Sequence, residues 1–239
     1  MILTVPTAEG FTPAERPFLF MNKEEIEAAK RRWKEPWAKQ AFEDSITGKG
    51  FKMTIFSDFF RYLVLEEEEI TKAQIARLMK FPSVNVTKTP PRDDHIDDAM
   101  RYDIFYDKLT PEQRKKIEDA FRRHIDWLLN DYWRGRKAWR KNPEDKPRNT
   151  EYDRISWLPN MLWPKHQGIF MMALALQDEK RIRALFNSEH MGFKMWMDDY
   201  VADGHFYMEE FGKQYSTFGE LLLWCRGCKR LGLDELGFG

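Results

Sequence analysis

Apolar positions recur every three or four residues along most of this chain, the spacing of amphipathic helices rather than of strands. In KEEIEAAKRRWKEPWAKQAFEDSI one stripe joins Ile26, Ala29, Trp33, Trp37 and Ala41. Asn22 stands ahead of it as the N-cap, and Pro36 is expected to kink or divide the helix. Further helical segments are predicted near FSDFFRYLVLEEEEI and TKAQIARLMKF. PSVNVTKTPPRDDH, with three prolines, reads as a loop. RYDIFYDKLTPEQRKKIEDAFRRHIDWLLNDYW then predicts helix, turn, helix. Here Thr110 is the N-cap, Pro111 takes the first helical position and Gln113 completes a capping box, while Ile117, Phe121, Ile125 and Leu128 form the buried face.

The second half begins with a basic stretch poor in apolar periodicity. Between Asp131 and Arg148 seven Lys or Arg face three acids, interleaved with Tyr132, Trp133 and Trp139. Such a run is either a solvated loop or a surface that grips a polyanion. ISWLPNMLWPKHQG is a loop dense in Trp and Pro, and Gln167 to Phe186 follows as one helix with Phe170, Ala173, Leu174, Leu185 and Phe186 as apolar positions. GFKMWMDDYV predicts a short helix, DGHFYMEEFGKQY a turn, and the following apolar run a last helix. No stretch reads as a clear strand. The expected fold is all-α, one domain over 1–239, built from successive antiparallel helix pairs.

Composition narrows the function classes. Lys+Arg and Asp+Glu are 39 each in 239 residues, so the net charge is zero and a general nucleic-acid binder, which carries a basic excess, is disfavoured. Nine Trp and eighteen Phe favour an aromatic-lined or carbohydrate-binding protein. No apolar run is long enough for a membrane span, and MILTVPTAEGFTPAERP lacks the basic start and apolar stretch of a signal peptide. Cys225 and Cys228 form one C-x-x-C inside a helical run, which reads as core cysteines, because structural zinc needs four ligands and a redox pair usually follows a strand.

Three stretches carry a family resemblance. ERPFLFMNKEEIEAAKRRWKEPWAKQAFEDSI resembles the N-terminal helix of alginate-lyase-like and heparinase II/III-like polysaccharide lyases. YDIFYDKLTPEQRKKIEDAF is similar to their helix-turn-helix, and DGHFYMEEFGKQY to the pattern in which Asp-Gly precedes an aromatic, a Glu and a catalytic Tyr. Together they run from about Arg16 to Leu223. The resemblance implies an (α/α) toroid, incomplete in this chain because members are usually longer, with a groove for an acidic polysaccharide. It also implies a periplasmic or secreted location, no cofactor, and neither nucleic acid nor membrane as partner.

The implied chemistry is β-elimination on a uronic-acid polymer such as alginate. A base removes the C5 proton, the C4–O bond breaks, and an acid protonates the leaving oxygen. The C5 proton is too weakly acidic unless the adjacent carboxylate is neutralised, and hydrogen-bond donors stabilise the charge that develops. Tyr215 is the expected acid or base, with Lys213 beside it to lower its pKa. His166 and Gln167, from the loop ahead of their helix, are the expected neutralisers, although Lys165 stands where the family often has Asn. If the proton leaves from the face opposite the leaving group, His166 serves as base and Tyr215 as acid; if from the same face, Tyr215 does both. Glu209 orients a neighbour. Asn160, His205 and Arg92 are candidate substrate contacts, and Trp157 and Trp163 candidate stacking platforms for sugar rings. The DDHIDD run offers carboxylates for a divalent cation, or is a solvated acidic loop.

Two other classes fit the residues. A glycoside hydrolase on a similar toroid needs two carboxylates across a cleft, for which Glu209 with Asp94 or Asp153 would serve. A non-catalytic helical scaffold that binds carbohydrate needs none.

Overall fold

The computed structural model describes residues 10–47, 54–84, 94–132, 163–188 and 222–233. Among them are nine helices and no strand, as the periodicity predicts. In chain order they are α1 (Lys23–Arg32), α2 (Pro36–Thr47), α3 (Thr54–Leu65), α4 (Thr71–Leu78), α5 (Asp94–Ile104), α6 (Pro111–Asp126), α7 (Trp163–Leu176), α8 (Glu179–Asn187) and α9 (222–230).

Local signals set most of the boundaries. Asn22 and Glu25 form a reciprocal capping box at α1, and Thr110 and Gln113 form another at α6 with Pro111 just inside it. Pro36 divides the first predicted helix: α1 ends at Arg32 and α2 restarts at Pro36. The break rotates the second half out of register, so the expected stripe does not continue. Ile26 is buried, but Trp37 is 63% exposed and Ala41 is exposed too.

Three further expectations are corrected. The helix through FSDFFRYLVL stops at Leu65 rather than running into the acidic tract, because Glu66 takes a left-handed φ of 59°. Asp94 and His95 belong to α5, not to a loop. Gln167 to Phe186 is two helices rather than one. Gln177 adopts φ 52°, its N–H donates to the Leu174 carbonyl at 2.8 Å, and Asp178 N–H donates to the Ala173 carbonyl at 3.3 Å, a Schellman closure. Asp178 then caps α8 with its own side chain.

α7 is the central helix. From Ile169 to Ala175 every residue is buried, as expected of a helix that is apolar all round. α5 lies along it in the most extensive helix pairing of the described residues, and α6 and α8 also pack on it. α1 and α2 pack on α3. The apolar face predicted for α6 is correct: Ile117, Phe121, Ile125 and Leu128 are all buried.

A non-helical segment, residues 12–19, ties the helices together. Asp103 of α5 is fully buried and accepts the N–H groups of Phe18 and Leu19 at 2.7 and 2.8 Å, and Arg16 at 2.8 Å. Burial pushes its carboxyl above the ordinary value, while Arg16 and the two N–H donors oppose that shift. The Arg16 guanidinium lies over Tyr106 at 4.5 Å and also meets the Ala175 carbonyl of α7. Gln177 exchanges two 2.9 Å hydrogen bonds with the backbone of Ala14, which holds it in its left-handed conformation. Cys225 is half-buried and Cys228 buried in α9, and neither forms a disulfide. Burial raises the Cys225 thiol, which keeps it protonated.

Candidate functional site

The N-terminal ends of α5 and α7 meet because of one glycine. At Gly168, a Cβ would fall 2.7 Å from the Cβ of His95, so only a residue without one lets the two backbones approach this closely. Gln167 and Gly168 therefore sit in the early turns of α7 against the first turn of α5.

The polar groups at this junction are unusual in what they lack. His95 is 5% exposed, His124 of α6 is 1% exposed and Gln167 is 0% exposed. Their side chains make few polar contacts inside the protein: His124 meets the backbone of Val84, His95 Nδ1 faces Asp98, and the Gln167 amide has no close protein partner. Buried polar atoms are nearly always satisfied, and each orphan costs on the order of 1–3 kcal/mol. Two imidazoles and an amide in one neighbourhood are an unusual polar content for a core that is otherwise apolar.

The imidazoles are held by aromatic packing. His95 and His124 stand edge to face with centroids 5.6 Å apart, and Phe81 contacts both at 5.0 and 4.7 Å. Burial, and secondarily the neighbouring His95, pushes His124 down to about 4 from an ordinary 6.5, so it is neutral at neutral pH. Behind His95 runs a polar chain through three helices. Asp98 Oδ2 is 3.8 Å from His95 Nδ1, and Arg101 donates to Asp98 at 2.8 Å and to Gln74 at 2.9 Å. Gln74 in turn donates to Asp58 at 2.7 Å. This chain consumes Asp98, so the acidic run around His95 is not a solvated loop. Among the described residues no three His, Cys, Asp or Glu are grouped to hold a metal ion.

The residues expected from sequence fall as follows. His166 and Gln167 lie in the first turns of α7 and not in a loop ahead of it, because the helix starts at Trp163 and takes in Pro164. Pro is well tolerated there, where its missing N–H has no partner to lose. Gln167 is enclosed and does not meet solvent. Trp163 opens the same helix, and its side chain and that of His166 are outside the description. Asp94 opens α5 under the same limit. Tyr215, Glu209, Lys213, His205, Asn160, Arg92, Trp157 and Asp153 all lie outside the described residues, as do the basic run at 134–148 and the predicted helix near Trp196.

Sequence reasoning missed His124. The signal was present: His124 occupies the buried stripe of α6, three residues after Phe121 and next to Ile125. A polar residue on an apolar stripe is informative for that reason.

The described residues define an all-helical protein with a buried His95–His124 contact beside the head of its central helix. No described helix is long and apolar enough to cross a membrane. The chain matches no protein-family model, no curated protein and no solved structure.

Proposed function

We propose that this protein is a polysaccharide lyase that cleaves a uronic-acid polymer, alginate or a related polyuronate, by β-elimination, in the periplasm or after secretion. The helices would pair into an incomplete (α/α) toroid whose groove receives the acidic chain. The observation that carries the reading is that His166 and Gln167 lie in the opening turns of α7, whose Gly168 packs against His95 in the first turn of α5.

A helix N-terminus has free backbone N–H groups and the positive end of the helix dipole, which favour a carboxylate. A uronate carboxylate bound there is partly neutralised, which acidifies the C5 proton. His166 adds a donor to the same carboxylate. Gln167, enclosed beneath it, acts by holding the turn rather than by touching substrate. Tyr215, beside Lys213, then moves the proton: it takes the C5 hydrogen as phenolate or protonates the leaving C4 oxygen as phenol. Glu209 orients its neighbours. Asn160, His205 and Arg92 bind the polymer, and Trp157 and Trp163 stack on its rings. The order of the three family-like stretches along the chain also supports this assignment.

The test is ultraviolet absorbance during incubation with alginate, polyglucuronate, hyaluronan and heparin-type chains. Elimination leaves a conjugated C4=C5 double bond, and hydrolysis does not. The expected result is a rise on a polyuronate that falls at least about a hundredfold in Tyr215→Phe. New reducing ends without absorbance would replace the reading with a hydrolase. Binding with no product would replace it with a carbohydrate-binding scaffold.

A further inference from the structure

Away from that junction, α1, α2 and α3 enclose an open groove of about 700 Å³, the size of a small-ligand site. Its floor is aromatic and locked. Trp33 meets Phe42 edge-on at 5.3 Å and Phe60 at 5.5 Å, and Phe42 lies 4.9 Å from Phe60. Its walls are alanines of α1 and α2, which leave room for a flat ring to approach. Trp37 stands at the edge, 63% exposed. Exposing an indole forgoes most of the stabilisation its burial would bring.

The charge at the rim is not balanced. Arg226 of α9 and Glu25 pair at 2.6 Å, but Arg230 pairs with the same carboxylate at 2.6 Å. The two guanidiniums take the two oxygens of one carboxylate, although Arg230 itself lies outside the groove lining. Arg32, also lining the groove, is exposed and no acid pairs with it among the described residues. An exposed indole beside an aromatic floor, with a guanidinium at the rim that no described acid pairs with, fits a ligand with a flat C–H face and an anionic substituent. That is a saccharide ring bearing an acid group. A protein partner is a poorer fit, since stable interfaces bury about 800 Å² per side around several anchors. Among the described residues only Trp37 and Leu222 are exposed large hydrophobics, and Leu222 does not line the groove.

We propose that the groove between α1, α2 and α3 is a binding site for an anionic saccharide, with Trp37 stacked on the sugar and Arg32 and Arg226 facing its acid group. This site is separate from the α5–α7 junction and does not rest on the elimination reading.

The test uses the full chain carrying Tyr215→Phe, so that any cleavage does not consume the probe. A saturated guluronate tetrasaccharide is titrated while the indole N–H signals are followed by nuclear magnetic resonance, with the Trp37 signal assigned from Trp37→Phe. Trp37 is exposed, so that variant is expected to fold. The expected result is a saturable shift of the Trp37 signal, an affinity read there that weakens up to about fivefold in Arg32→Gln, and a smaller response to cellotetraose. An unmoved Trp37 signal overturns the proposal. So does an equal response to the neutral sugar with no dependence on Arg32. Self-association abolished by Trp37→Ala in sedimentation would assign the groove to a second copy of the chain instead.

Discussion

His124 is where a single side chain most directly sets the behaviour of the protein. Its folded value is near 4 against an ordinary 6.5, chiefly because burial disfavours the imidazolium. The unfolded chain therefore takes up a proton that the folded chain refuses as pH falls from about 6.5 to about 4. Stability from this group is complete above the upper value, declines through that window and is gone below it. The full loss is on the order of 3 kcal/mol, at 1.36 kcal/mol for each unit of displacement. Chemical denaturation at a series of pH values should show this decline in the native chain. It should be shallower in His124→Phe, whose ring suits the Phe81 and Phe121 surroundings. Equal slopes in the two proteins would show that His124 is not the group responsible.

At the level of elements, the α5–α7 crossing depends on Gly168. Because the close atom is the Cβ of His95, no rotamer change relieves an added methyl. Gly168→Ala should force the helices apart and cost about 1–3 kcal/mol, less whatever alanine gains in helix propensity. A thermal melt measures it; an unchanged or raised midpoint would refute the close approach. The same elements show how far the sequence could be read. Capped helices were legible because their signals are local: Asn22 with Glu25, and Thr110 with Pro111 and Gln113, each act within one turn. The start of α7 at Trp163 and the break at Gln177 were not legible. Pro164 resembles a loop residue until it is seen in a first turn, and Gln177 holds a left-handed φ only because Ala14, far away in sequence, binds its amide. For the site, His166 and Gln167 could be named from sequence, but the His95–His124 contact is tertiary and no spacing foretells it.

Across the whole molecule, the segment 12–19 is held from several sides. Asp103 anchors it to α5, Ala175 and Gln177 to α7 and the turn after it, and Arg230 of α9 reaches the Phe18 carbonyl. Asp103→Ala would strip two backbone N–H groups and the Arg16 charge of their partner inside the core. The expected cost is about 3–5 kcal/mol, read from the denaturant midpoint. A loss below about 1 kcal/mol would mean that Arg16 and the backbone find other partners. Asp103→Asn keeps one acceptor and should lose less.

Thr12 N–H donates to the Leu231 carbonyl at 3.0 Å, and Arg226 and Arg230 both grip Glu25 of α1. The contacts that close the fold thus join residues more than two hundred positions apart. During synthesis, at roughly 5–20 residues per second, the first helix waits ten seconds or more for α9 to emerge. Until then Glu25 of α1, the Phe18 carbonyl and the Thr12 N–H lack the partners that α9 and the turn after it bring. The nascent chain should accordingly gain protease resistance late and in one step, when α9 leaves the ribosome, rather than helix by helix.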